Sequence, residues 1–228
     1  MVRERKEGEG ERGEREGHGK QEKPIDPPTP PLSPLFPVPG KCPVHGVDNI
    51  GTIPAAVISY LALDKLRPDL AISAGTAGGF KRLGASIGDV YLGTSFAHHD
   101  RRIPLPSFDA YGVWAVAAAP APRLAEAAGL KTGGVTTGNS LDWHEADMAA
   151  MKTNGAVVKE MEAAGVAWSA HLFGTPLIAL KSVTDIVDGD QAAADEFVAN
   201  LATATAALHD KLAAVLAWLG EGREVGEL

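Results

Sequence analysis

Cysteine is almost absent from this sequence. Cys42 stands alone, so no internal disulfide can form, and a reducing, cytoplasmic setting is expected. With His45 it supplies too few ligands for a structural zinc site. A basic surplus is also missing. The formal net charge is −8, which argues against nucleic acid or an anionic membrane as the main partner, since both attract basic surfaces. No apolar run approaches the ~20 residues needed to span a bilayer. The N-terminus lacks the apolar core of a secretory signal, and it is too rich in glutamate for a transit peptide. None of these absences excludes a small ligand.

What is present is enough for one sizeable domain. The chain has 228 residues, of which 45% are hydrophobic and 22% charged, ordinary values for a globular protein with a core. They are unevenly spread. Residues 1–22 are a low-complexity run of Glu, Arg, Lys and Gly, which cannot bury enough surface to offset its chain entropy. Lys23 to Pro43 holds nine of the sixteen prolines. PPTPPLSP and PLFPVP read as extended polyproline-like segments, a linker in preference to an SH3 ligand. The expected organisation is a disordered charged and proline-rich segment over 1–45, a folded domain over 46–222, and a short polar tail over 223–228.

Within the folded part, strand and helix patterns alternate. Thr52 and Pro54 suit the start of a helix that runs from Ala55 to Leu66 and ends at Pro68. Leu70 to Ala74 is a short buried strand, followed by Gly75-Thr76-Ala77-Gly78-Gly79, which reads as a tight turn. It is neither a P-loop nor a GxGxxG fingerprint. Further strands are expected at Ile87–Ser95, Gly134–Thr137 and Ala156–Lys159, with helices at Pro120–Ala128, Glu145–Met151 and Ala163–Phe173. His98, His99 and Asp100 do not suggest a metal site, because neighbouring strand residues point to opposite faces. A loop hydrogen-bond network is the expected role. Ala192 to Leu219 has helical spacing for one long helix or two. The alternation predicts an α/β fold of three layers, α/β/α, with a central mixed sheet.

The chemistry is expected to gather around Leu177 to Asp190, LIALKSVTDIVDGD. An apolar run after Pro176 suits a strand buried on both faces, stopping near Val183. Asp185, Asp188 and Asp190 follow. Ligands in α/β sheets bind where strands end. A carboxyl backed by an apolar sheet has a raised pKa and can donate a proton near neutral pH. Asp185 is read in that way, and Asp188 and Asp190 as loop and capping residues. Thr76, the Ser140-Leu141 turn, Met161-Glu162 and Asp185 all fall at strand ends, so they could converge in one cleft.

The series ISAGTAGGF, IGDV, HHDRRIP, VTTGNSLD, VVKEMEAAGVA and LKSVTDIVDGD resembles the 5'-methylthioadenosine/S-adenosylhomocysteine nucleosidases, and most of all their plant-type members. The likeness covers roughly Gly46 to Gly220. It implies a purine-nucleoside-phosphorylase-like fold, a homodimer, and hydrolysis of the bond between adenine and thioribose in methionine salvage, without metal or cofactor. By this resemblance Asp185 is the general acid and Thr76 the hydroxyl that orients it. Glu162 grips the ribose hydroxyls, and Met161 packs under the sugar. Leu141 lies against adenine, and Phe197 lines the alkylthio end. Glu160 and Asp142 join the substrate-binding set. Ile103 to Phe108 is expected to reach the pocket of a neighbouring subunit.

Two departures matter. The family begins with a strand carrying Met-x-x-Glu, whose glutamate activates the attacking water. No equivalent is visible upstream of Gly46, and general-base catalysis contributes ~10² to 10⁴ in rate. Asn139 also stands where the family has Asp. The alternatives are a phosphate-dependent nucleoside phosphorylase and a truncated, inactive nucleoside-binding protein.

Overall fold

The computed structural model describes residues 40–228. Of the disordered charged and proline-rich segment expected over residues 1–45, residues 1–39 lie outside the described residues, while residues 40–45 are ordered. Residues 41–48 form a turn closed by a bridge between Lys41 and Asp48. Helix α1 runs over Thr52–Leu66 and stops at Arg67, whose left-handed conformation precedes Pro68. Strand β1 spans Ala71–Gly79 and β2 Val90–His98. The short α2 (Phe108–Val113), β3 (Val116–Ala117) and α3 (Pro122–Ala127) lead to β4, Lys131–Thr137. Then α4 (Glu145–Thr153), β5 (Ala156–Glu160), α5 (Ala163–Phe173), β6 (Leu177–Ile186) and α6 (Ala193–Leu219) alternate.

Two strands outrun their expected limits. Gly75 to Gly79 is not a turn but the second half of β1. Gly75, Gly78 and Gly79 are absent from the positive-φ residues, so left-handed freedom is not what they supply. They supply room. A Cβ on Gly79 would stand 2.6 Å from the Ala85 Cβ, so only glycine lets the strand lie this close to its neighbours. Strand β6 likewise continues beyond Val183 to Ile186, because β1 pairs with it along its whole length.

The sheet is mixed and curls onto itself. β6 lies parallel to β1 and antiparallel to β2, while β2, β4 and β5 run parallel to one another. β5 returns to β1 through an antiparallel contact at Gly78 and Gly79. The small β3 pairs with Ser95 and Phe96 of β2. Away from β6, β1 pairs with described residues only at Gly78 and Gly79, and its first six residues are accordingly half-buried or exposed.

Alternation along β6 feeds two cores. Leu177, Ala179 and Val183 join Phe96, Val135, Val158 and the alanines of α5. Ile178 and Leu180 join Leu92, Leu124 of α3 and Val215 of α6. This is the period of two expected of a strand buried on both faces, with helices on either side. The C-terminal residues are not frayed. Leu228 is buried, and its backbone oxygen accepts from the amides of Arg123 and Leu124.

Candidate active site

The site is shaped by an irregularity in β6. Pairing runs Ala77↔Val183 and then Gly78↔Asp185, so Thr184 is an extra residue opposite β1. A bulge of this kind re-aims side chains. Successive residues of a regular strand face opposite ways, yet Thr184 and Asp185 both line one cavity of about 420 Å³. Ile50, Thr76, Gly78, Leu141, Lys159, Glu160, Met161, Glu162 and Phe197 contribute to the same wall. A second cavity of about 420 Å³ lies beside β3 and α5, but His171 is the only titratable side chain in its lining.

Asp185 is 5% exposed. Burial raises its carboxyl pKa, against the lowering influence of a Thr184 hydrogen bond and the Lys159 charge. Thr184 Oγ1 donates to Asp185 Oδ1 at 2.7 Å. The hydroxyl holding the acid is therefore that of Thr184. Thr76, expected in that role, shares the cavity but sits opposite Ser182 in the register, two places before the partner of Asp185. The second oxygen, Oδ2, passes over Gly78, where a Cβ would stand 2.6 Å from it.

The carboxylates at the other wall differ from each other. Glu162 Oε1 accepts from Gly51 N at 2.9 Å and Oε2 from Met161 N at 3.2 Å. It ties the start of α1 to the cavity rim. Glu160 lines the cavity but spends its oxygens on structure. It accepts from Thr137 Oγ1 and from the amides of Glu162 and Ala163 at the start of α5. It also pairs with Lys181 at 2.9 Å, both side chains being almost wholly buried. Helix capping, one ordinary role open to Glu162, thus falls to Glu160.

Met161, Leu141 and Phe197 line the cavity as expected, whereas Asp142 does not. Residues 103–108, expected at the pocket of a neighbouring subunit, lie outside this chain's own cavity, and Leu105 and Phe108 are exposed. Asn139 lies outside the lining and fastens α1. Its Oδ1 accepts from Thr52 N and Oγ1 at 3.0 and 2.8 Å, and its amide nitrogen approaches Asp100. An aspartate there would set two carboxylates together.

Sequence reasoning missed Lys159, Thr184, Gly78 and Ile50. Lys159 carried a signal, a charge inside the apolar strand AVVKE; a bulge at Thr184 had none. Asp188 behaves as a loop residue, accepting from Lys81 N and Arg82 N. Asp190 is exposed, and α6 starts without a side-chain cap. Of the expected loop network, His99 Nδ1 lies 3.1 Å from Thr136 Oγ1 and Asp100 accepts from Asn139 N, whereas His98 ends β2 and its buried Nδ1 has no hydrogen-bond partner among the described residues. No group of three or more metal-ligating side chains occurs among the described residues.

Comparison with known proteins identifies the family. The model of the phosphorylase superfamily matches residues 39–217. A 5'-methylthioadenosine nucleosidase of Arabidopsis thaliana is 44% identical over 190 residues, 83% of this chain and 71% of the relative. A 5'-methylthioadenosine/S-adenosylhomocysteine nucleosidase of the same plant is 46% identical over 178 residues, 78% of this chain and 70% of the relative. The apo structure of Arabidopsis 5'-methylthioadenosine nucleosidase superposes with a TM-score of 0.81 at 44% identity, covering 83% of this chain and 78% of that one. The chain belongs to the phosphorylase superfamily and, within it, to the 5'-methylthioadenosine/S-adenosylhomocysteine nucleosidases.

Proposed function

We propose that this protein hydrolyses the N-glycosidic bond of 5'-methylthioadenosine, releasing adenine and the thioribose. S-adenosylhomocysteine is the second candidate substrate. The observation that carries this reading is a buried carboxyl of raised pKa, Asp185, sharing one cavity with Glu162 and with the apolar side chains Ile50, Leu141, Met161 and Phe197.

Adenine leaves poorly until its five-membered ring is protonated. Asp185 donates that proton: its O–H bond breaks as an N–H bond forms, and the glycosidic electrons pass to the base. The sugar approaches an oxocarbenium ion, as in glycoside hydrolysis. Glu162 holds the ribose hydroxyls, and its negative charge favours the developing cation. Met161 lies under the sugar, Leu141 against adenine and Phe197 along the alkylthio group. Thr76 lines the sugar end.

Water attack is the weaker half. Among the described residues lining the cavity, Glu160 is consumed by Lys181 and the start of α5, and Glu162 is assigned to the sugar. A dedicated base contributes ~10² to 10⁴ in rate, and these described residues do not supply one. A nucleoside-binding protein without turnover is the extreme of that case.

Hydrolysis is favoured over phosphorolysis because neither Lys81 nor Arg82, the cations after the β1 glycines, lines the Asp185 cavity, and the Arg82 guanidinium pairs with Asp188 at 3.5 Å. The assay is adenine release from 5'-methylthioadenosine with and without phosphate. Equal rates are expected; a rate that requires phosphate would replace this reading with a phosphorylase. The reading includes a cytoplasmic setting, a role in methionine salvage and a homodimer, in which residues 103–108 approach the second subunit.

A further inference from the structure

Lys159 faces the cavity, and the chemistry above leaves it without a task. Its side chain is buried in β5. Its ammonium donates to the carbonyls of Ser140 and Leu141 at 2.8 and 2.9 Å. Two of its three hydrogens are thereby used.

The register shows what lies beyond. Lys159 pairs with Gly78, and Gly78 pairs with Asp185. Residues in register on adjacent strands project from the same face. Lys159, Gly78 and Asp185 therefore form a row across β5, β1 and β6. The middle position has no side chain, and a Cβ there would stand 2.6 Å from Asp185 Oδ2. The space over Gly78 is shared by Asp185 Oδ2 and Val187 Cγ2, so no side chain of β1 itself stands between Lys159 and the acid.

The second buried lysine does not compete for the role, because Lys181 is paired with Glu160 at 2.9 Å. The charges felt by Asp185 are Lys159 from β5 and Glu196 from α6, beside the neutral Thr184 hydroxyl. Those felt by Lys159 are Asp185, Asp142, Asp147 and Glu160, and it in turn acts on His99.

We propose that Lys159 is a positioning residue for the acid: its ammonium stabilises the carboxylate that Asp185 becomes when the proton has left for adenine. The two carbonyl bonds hold the ammonium in place and fix the cavity wall at Leu141. This rests on Asp185 being the proton donor. In a buried site, the carboxylate left after donation needs a nearby cation, and an opposite charge favours the ionised form. Lys159 opposes the effect of burial on Asp185, whereas Glu196 adds to it.

The test combines Lys159→Met and Lys159→Arg with carbon NMR titration of the Asp185 carboxyl and the pH profile of adenine release. In Lys159→Met the acid dissociation constant of Asp185 is expected to fall about tenfold, within the range for losing an opposite charge. The alkaline limb of the profile moves up in pH, and kcat falls. Lys159→Arg restores both. A raised KM with the alkaline limb unmoved would mean that Lys159 only clamps the wall, and would overturn the proposal. If Lys159→Met does not fold, Asp185→Asn reports the same coupling from the other side. The dissociation constant of the Lys159 ammonium, followed by nitrogen NMR, is then expected to rise about tenfold, because such coupling is reciprocal. An unchanged value would overturn the proposal. A parent protein that releases no adenine would defeat the functional reading, while both titrations would still decide the coupling.

Discussion

Burial gives Asp185 a function and a cost together. Its raised pKa keeps the proton on at higher pH than a free aspartate would. Activity that needs the protonated form falls as pH rises through that value. Stability follows the same sign. A carboxyl whose folded pKa exceeds its unfolded one stabilises the fold fully below the unfolded value, and this contribution is lost as pH rises through the folded pKa. Asp185→Asn is therefore expected to be more stable than the parent at pH 7. A higher urea midpoint checks this, and a lower one would contradict it. His98 has the opposite slope. Burial, with Arg101 nearby, lowers its pKa to about 4. The unfolded chain, with histidine near ~6.5, takes up the proton first, so stability drops as pH falls from the unfolded value towards the folded one. Urea midpoints measured through this window should decline, and the decline should shrink in His98→Phe. At this scale the sequence was informative for Asp185, Glu162, Met161, Leu141 and Phe197, whose residue types and order carry the family pattern. It placed Asp142 in a cavity that Asp142 does not line, it did not show that Glu160 also caps α5, and it gave Thr76 the bond that Thr184 makes. A carboxylate reads the same in sequence whether it faces a cavity or caps a helix.

At the scale of elements, helix α5 shows how packing overrides local propensity. Gly165 sits in its first turn, and a Cβ there would stand 2.6 Å from the Thr52 carbonyl oxygen of α1. Alanine is the better helix former by ~1 kcal/mol, but forcing the two helices apart costs ~1–3 kcal/mol. Gly165→Ala is thus expected to destabilise the protein in urea unfolding; an unchanged or raised midpoint would contradict this account of the contact. The longer helices were legible from runs of good helix formers and clear stops, as at Arg67 and Gly174, whereas the short α2 was not foreseen. The two strands that carry the site were cut short for a physical reason. Glycine-rich β1 and polar β6 after Val183 carry turn chemistry locally, and only their mutual pairing keeps them extended. The bulge at Thr184 arises from that same pairing, so it has no local signature.

For the whole molecule, the notable surface is apolar. Ile53 and Val57 on α1 are exposed, as are Leu105, Phe108 and Tyr111 from the segment before β3. The two groups are linked through α5: α1 packs on it, and Tyr111 stacks edge-on against Trp168 at 5.9 Å. Surfaces of this kind mark association sites. A homodimer that covers them should sediment at twice the mass of one chain, and Phe108→Asp should shift it to monomer. A parent that sediments as a monomer would remove the dimer from the account. The family and the α/β layering were visible in the sequence because they depend on the order of many short motifs. Closure of the sheet was not, since it requires β2 to meet β6 across the chain.

The central claim is that Asp185 donates the proton that frees adenine. It is tested most directly by adenine release from 5'-methylthioadenosine, measured in parallel for the full chain and for Asp185→Asn. The account predicts release by the parent without phosphate and a loss of ~10² to 10⁴ in the variant, the usual contribution of a positioned acid. Equal rates in the two proteins, or a folded parent that binds the nucleoside and releases no adenine, would contradict it.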